Sequence, residues 1–281
     1  MFMKTRFLLS IFGLLALSAC TSDDEPTPVT ATPDTSNLCY LQQQVVRQAA
    51  NAVTTRYTYN EENQIVQSAH FVQDVLRETR KYTYDAAGKL TREELQPTDG
   101  DATYTVFSYD PAGKLTKYEV QRPLNLGVVH HVAAFKATYD VQDRLTSAIN
   151  YRYVDNKLVQ NGSFTQSYPA GKPISVVVKD NTGQVAYNAT FTQDDQRSPL
   201  SAVPAFIGAR PAIGFPNTNN LLSVSATTTA TTGGVSTTVG VPAESYSAVY
   251  TLNEQDYPTK ATLTYNDGKV ITIDYTYSCE E

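Results

Sequence analysis

Apolar and polar side chains alternate along most of this chain, and the alternation comes in repeated blocks. Lys81-Tyr82-Thr83-Tyr84-Asp85 leads through Ala86-Ala87-Gly88 to Lys89-Leu90-Thr91, and Phe107-Ser108-Tyr109-Asp110 leads through Pro111-Ala112-Gly113 to Lys114-Leu115-Thr116. Looser copies start at Tyr57-Thr58-Tyr59-Asn60, Ala137-Thr138-Tyr139-Asp140, Tyr168-Pro169-Ala170-Gly171-Lys172, Phe191-Thr192-Gln193 and Tyr250-Thr251-Leu252-Asn253. The second aromatic recurs after 25, 25, 30, 29 and 23 residues, a period that fits two strands and two turns. Residues two apart in a strand share a face, so Tyr82 and Tyr84 project together while Lys81 and Thr83 face the other way. Asp85 and Asp110 can hold backbone amides where the strand ends, and Gly88 and Gly113 supply the positive φ of a short hairpin loop. Tyrosines of neighbouring hairpins are expected to pair in a row across the sheet. The pattern predicts an all-β fold: a large antiparallel meander of about fifteen strands, curled or rolled on itself.

The rhythm breaks between Phe191 and Leu252. From Ser198 to Leu222 the prolines Pro199, Pro204, Pro211 and Pro216 are mixed with Leu200, Phe206, Ile213, Phe215 and Leu221. That density argues against a regular helix or a central strand, so the expectation is an irregular segment packed on one face of the sheet. Ser223 to Gly240 is rich in Thr, Ala, Gly and Val and suits a hairpin turning at Gly233-Gly234. Residues 198–240 are thus one insertion in an otherwise regular scaffold, and a segment of this length is expected to carry function.

The start of the chain has another character. Lys4 and Arg6 precede an apolar run from Phe7 to Leu17, too short to span a membrane, and Leu17-Ser18-Ala19-Cys20 follows. This is a bacterial lipoprotein signal: residues 1–19 would be removed and Cys20 lipidated, giving a stable membrane anchor. Residues 20–37, poor in large apolar side chains, read as a flexible linker, and 38–281 as a single β domain.

Composition agrees with strands. There are 19 tyrosines and no tryptophan, and no long stretch of helix formers occurs. The net charge of −6 gives no electrostatic case for nucleic acid. Besides Cys20, only Cys39 and Cys279 occur, one near each end of the β domain. In an oxidising compartment they are expected to form a disulfide that ties the first strand to the last.

Candidate chemistry is sparse. His130 and His131 are adjacent, so on a strand they face opposite ways, and His70 stands alone. No nucleophile elbow, zinc helix or phosphate loop is present, and neither a metal nor another cofactor is expected. Asp99 and Asp101, Asp194 and Asp195, and Glu93 and Glu94 are the carboxylates from which a hydrolytic pair could be drawn. The stronger binding signal is aromatic: Tyr57, Tyr59, Tyr82, Tyr84, Tyr109 and Tyr139 could contact sugar rings by stacking.

The Tyr-x-Tyr-Asp-x-x-Gly-Lys-Leu-Thr pattern, complete at 82–91 and nearly so at 107–116, resembles the YD repeats of Rhs-type and teneurin-like proteins. Thr21-Ser22-Asp23-Asp24-Glu25 resembles the acidic export tag of surface lipoproteins of the Bacteroidota. Together these features resemble Bacteroidota surface lipoproteins that carry YD-like repeats over roughly residues 38–281. The resemblance implies an outer-membrane lipoprotein exposed at the cell surface, with a rolled β-sheet and no catalytic residues to carry over. The expected partners are the membrane, through the lipid anchor, and a glycan or another surface protein. A non-catalytic binding or scaffold role is the favoured function, with a polysaccharide hydrolase using a carboxylate pair as the alternative.

Overall fold

In a computed structural model, residues 37–280 are described, apart from 124–128, 143, 156, 170–173, 210–218 and 233–234. The signal at 1–19, Cys20 and most of the linker lie outside the described residues. Residues 37–281 form one compact unit. Its first strands are β1 Cys39–Gln48, β2 Asn51–Tyr59, β3 Ile65–Val72, β4 Val75–Tyr84, β5 Leu90–Pro97 and β6 Thr103–Tyr109. There follow β7 Leu115–Pro123, β8 Val129–Tyr139, β9 Leu145–Val154, β10 Lys157–Ser167, β11 Ile174–Lys179 and β12 Val185–Arg197. A single-turn helix, α1 Pro204–Gly208, precedes β13 Asn219–Thr232, β14 Val235–Gly240, β15 Tyr246–Leu252, β16 Pro258–Tyr265 and β17 Val270–Cys279.

Every pairing is antiparallel, and β1 pairs with both β2 and β17, so the meander closes into a barrel. The seventeen strands make a ring of sixteen, because β14 and β15 both pair with β13 and act as two pieces of one interrupted strand. The all-β antiparallel meander is as expected, but it closes into a sixteen-strand barrel and is not a YD-repeat roll. At the seam Cys39 lies opposite Cys279 in register and bonds to it at 2.09 Å across 240 residues of sequence.

Each position of the repeated motif has a physical task. Asp85 Oδ1 accepts from the amides of Ala87 and Lys89, and Asp140 and Asp180 hold their turns in the same way. Gly88 and Gly113 have φ of 76° and 88°; in the degenerate copies Asn63 and Asp256 take this place at 58° and 62°. Ile65, Leu90, Leu115 and Leu145, each the first residue of a return strand, are at most 2% exposed. The register slips just after each of them, a β-bulge repeated around the barrel. At the bulge Thr91 donates its hydroxyl to the Thr83 carbonyl, as Thr116 does to Ser108, Thr146 to Thr138 and Thr259 to Thr251.

The second tyrosine reaches across a strand. Tyr84 Oη donates to the Ile65 carbonyl (2.8 Å), Tyr109 to Leu90 (2.6 Å), Tyr59 to Leu41 (2.8 Å) and Tyr277 to Pro258 (2.9 Å). The tyrosine row is therefore a ladder of hydroxyl-to-backbone bonds, and ring pairing accompanies it at Tyr40–Tyr59 (5.7 Å) and Tyr257–Tyr277 (5.5 Å). Ring stacking occurs elsewhere, between Tyr118 and Phe135 at 4.8 Å.

Antiparallel alternation puts all the motif turns, together with both Cys39 and Cys279, at one end of the barrel, here called the tyrosine end. Ser198 to Ala209 lies across this end. Val203, Phe206 and Ala209 are buried against Ile65, Tyr82, Leu90, Phe107 and Leu115, and Phe206 meets Tyr82 edge-on at 5.1 Å. A helix does form here, contrary to the proline argument, because Pro204 occupies its first turn, where a missing amide costs nothing. Asn219–Thr232 is likewise a wall strand, so the boundary drawn at 198–240 cuts across the ring. The outer half of β13 and β14 form the threonine-rich hairpin that the sequence suggested, and it continues past the pairing of Val224 with Tyr246 at the far end.

The wall is rich in charge outside, where Val106, Leu222 and Val249 are also exposed, and mainly apolar inside, with Glu93 buried there. Lys81, Arg92, Lys136 and Lys260 are exposed on the outer face, and Arg47 pairs there with Asp274. Phe107, Phe135, Phe164, Val176, Phe191 and Val224 fill the interior. A barrel whose strands face lipid has the opposite order. Among the described residues, no helix is long and apolar enough to cross a membrane.

Candidate ligand cavity

The interior is not completely filled. Between β1, β13, β15, β16, β17 and the segment across the tyrosine end lies a cavity of about 480 Å³, within the size range of small-molecule sites. Strand alternation supplies its wall: Ile273 and Tyr275 from β17, Leu263 from β16, Tyr246 and Tyr250 from β15, Leu221 from β13 and Gln44 from β1. Pro199, Leu200, Phe206 and Ile207 form its floor. A more open recess of about 560 Å³ shares Leu221 and Tyr246 with the cavity, and Glu244, Tyr265 and Lys269 also line it. The two spaces therefore adjoin inside the wall.

The polar side chains bordering the cavity are those of Gln44, Ser198, Asn219, Asn220, Tyr246, Tyr250 and Tyr275. Tyr250 donates to the Leu221 carbonyl at 2.9 Å. Burial, reinforced by Tyr265 and Tyr187, pushes the Tyr246 phenol up to about 12. Burial also raises Tyr275, with help from Tyr250 and Tyr57, so these phenols are neutral at physiological pH. Asp194 accepts the Asn220 backbone amide at 2.9 Å and its Nδ2 at 3.0 Å. The carboxylate can only accept, which fixes the orientation of the Asn220 amide. Asn220 is 2% exposed, and its Oδ1 is buried without a partner.

The tyrosines singled out in the sequence lie elsewhere. Tyr57, Tyr59, Tyr82, Tyr84 and Tyr109 pack against the cluster at the tyrosine end, and Tyr139 packs against the neighbouring one. Tyr109 and Tyr139 border a space of about 220 Å³ beside α1, and Tyr84 one of about 150 Å³. Asn220, Leu263, Ile273 and Tyr275 were missed. The alternation of Ile271, Ile273, Tyr275 and Tyr277 was legible as an inward face, but nothing in the sequence says which inward face stays unfilled.

Of the candidate carboxylates, Glu93, Asp194 and Asp195 have side-chain partners. Glu93, 7% exposed, accepts from Arg80 at 2.6 Å, and Glu78 binds the same guanidinium at 2.8 Å. Burial alone would lower Arg80, but Glu93 and Glu78 outweigh it and hold the charge. Asp194 is committed to Asn220, as described above. No group of three or more His, Cys, Asp or Glu able to hold a metal occurs among the described residues.

Fold and cavity define a closed antiparallel barrel with an apolar interior space. Two solved structures share this fold: a porin-like protein from Bacteroides uniformis (TM-score 0.52, 15% identity, 85% of this chain and 96% of that one) and a porin-like protein from Bacteroides vulgatus (0.50, 12%, 86% and 99%). No protein-family profile matches the chain, and no curated protein matches it.

Proposed function

We propose that this protein is a non-catalytic binding module of the cell envelope, anchored in the outer membrane by lipid on Cys20 and exposed at the surface. Its binding site is the interior of the barrel. The observation that carries this reading is the partly open cavity of about 480 Å³ inside a wall whose outer face carries Lys81, Arg92, Lys136 and Lys260. Sites of this kind, mostly apolar with a few placed polar groups, are where small molecules bind. The anchor rests on Leu17 to Cys20, and surface exposure on Ser22 to Glu25. The likeness to porin-like proteins of Bacteroides supports an envelope setting, whereas the charged outer face speaks against strands embedded in lipid. Kinship with YD-repeat proteins rests on the motif at 82–91 and 107–116 alone.

A glycan would have to use aromatics on the outer face, such as Tyr104 under Arg92, because the motif tyrosines turn inward. The hydrolase reading gains nothing from carboxylates already bound to Arg80 and Asn220. Cys20→Ser should release the protein from membranes, and protease added to whole cells should digest the wild type. Native mass spectrometry of protein from membranes should show a retained small molecule. Continued fractionation of Cys20→Ser with membranes would defeat the anchor, and a consistently bare protein would defeat the interior site.

A further inference from the structure

We infer that the cavity takes an uncharged, mainly apolar molecule whose carbonyl oxygen is received by the side chains of Tyr275 and Gln44. This deepens the reading of the interior as a binding site and rests on it. Tyr275 and Gln44 are register partners on β17 and β1, so their side chains project side by side, and both line the cavity. Among the described residues neither side chain has a hydrogen-bond partner, and the Tyr275 hydroxyl is not sealed off, unlike that of Tyr257. Burial keeps the Tyr275 phenol protonated, so it presents its O–H beside the N–H bonds of the Gln44 amide. The pair thus has more hydrogens to give than oxygens to receive, and a carbonyl, with its two lone pairs, can accept from both. Tyr246, common to the cavity and the recess, adds a hydroxyl that also has no hydrogen-bond partner among the described residues. The other polar side chains of the lining are engaged. Tyr250 donates to the Leu221 carbonyl and Asn219 to that of Gln196, Ser198 is buried, and Asn220 is held by Asp194 with its Oδ1 out of reach. Leu263 and Ile273 stand between Tyr246 and Tyr275 in the order of the strands, and with Leu221 and Phe206 they would bury the apolar body. A carboxylate would also accept from these donors, but no Lys, Arg or His lines the cavity, and in the recess Lys269 stands with Glu244. Burying an anion there without a cation of its own costs far more than burying a carbonyl.

The probe is prodan, an uncharged naphthalene ketone whose emission moves to the red when its carbonyl accepts a hydrogen bond. It is titrated into the full chain carrying Cys20→Ser, extracted to remove small molecules, so that no detergent is needed. Saturable binding is expected, and Leu263→Trp, which fills the cavity from β16, should abolish it with circular dichroism unchanged. Should that variant not fold, Ile273→Phe occupies the same space from β17. Tyr275→Phe and Gln44→Met should each weaken binding about fivefold and move the emission of the bound probe to the blue. Methyl octanoate should displace the probe, and octanoate should need at least about tenfold more to do so. The inference is overturned by absence of saturable binding, by binding that survives the filled cavity, or by octanoate competing as well as its ester. It is overturned equally if either Tyr275→Phe or Gln44→Met leaves the affinity and emission of the probe unchanged. If the probe fails while native mass spectrometry shows a retained charged molecule, the interior site stands and only this ligand class is lost. If the protein is bare as well, both fall.

Discussion

Within the motif, the aspartate and the glycine do work that is local, while the tyrosine does not. Asp85 closes its own turn and Gly88 supplies a φ of 76°. A Cβ at Gly88 would come within 3.3 Å of only the flexible end of Gln64, so the cost of substitution is conformational. Gly88→Ala should lower stability by about 1–2 kcal/mol. Gly88→Asn should cost less, since Asn63 occupies the equivalent place at 58°. Urea denaturation of the pair checks this, and the opposite order would refute it. Tyr84→Phe removes the bond to the Ile65 carbonyl and should cost about 1 kcal/mol by the same method. The turn chemistry was readable because its partners lie within four residues. The tyrosine bond was not, because Ile65 is 19 residues away on a neighbouring hairpin.

The elements differ in how far the ring depends on them. Ser223 and Val224 join β13 to β15 and so belong to the wall, whereas Thr229–Thr238 pair only within the hairpin. Replacing residues 229–238 by Asn-Gly should leave the melting temperature within a few degrees of wild type, while removing Ser223 to Gly240 should prevent the native fold. Scanning calorimetry separates the two, and equal effects would show the assignment to be wrong. Alternation and composition made these strands legible. They did not show that β13 is shared between wall and hairpin, because threonine suits either setting. Pro199 and Pro204 interrupt the sheet as expected, but the start of a helix was not legible, since one turn needs only Pro204 at its beginning; Pro211, Ile213, Phe215 and Pro216 lie outside the described residues.

Across the whole molecule, the buried phenols set a limit on alkaline stability. Burial pushes Tyr139, Tyr187 and Tyr246 up to about 12, and it raises Tyr59, Tyr250, Tyr275 and Tyr277 as well. The unfolded chain ionises near pH 10, so the native state binds more protons above that point. Stability contributed by these groups is complete below about pH 10 and is lost as pH rises towards about 12. Tyrosinate absorbance should therefore appear cooperatively with unfolding; gradual titration of a barrel that stays folded would contradict this. The barrel itself was only half legible. An antiparallel meander follows from period-two alternation and repeated turns, but closure depends on twist and strand number summed around the whole circuit, and no local residue encodes either.

The seam between β1 and β17 has a consequence of its own. The ring itself exposes no unpaired strand, so that the β13–β14 hairpin alone offers free strand edges among the described residues. Opening this seam uncovers two such edges at once, β1 and β17, each with a free row of amides and carbonyls. Cys39–Cys279 clamps the end of that seam, and in the chain-entropy view a link over so long a loop contributes about 5 kcal/mol. Reduction should therefore lower the melting temperature and make the protein self-associate through these edges, with light scattering rising in proportion to concentration. A reduced protein that melts lower yet stays monomeric would show that the backbone seam alone keeps the edges sealed.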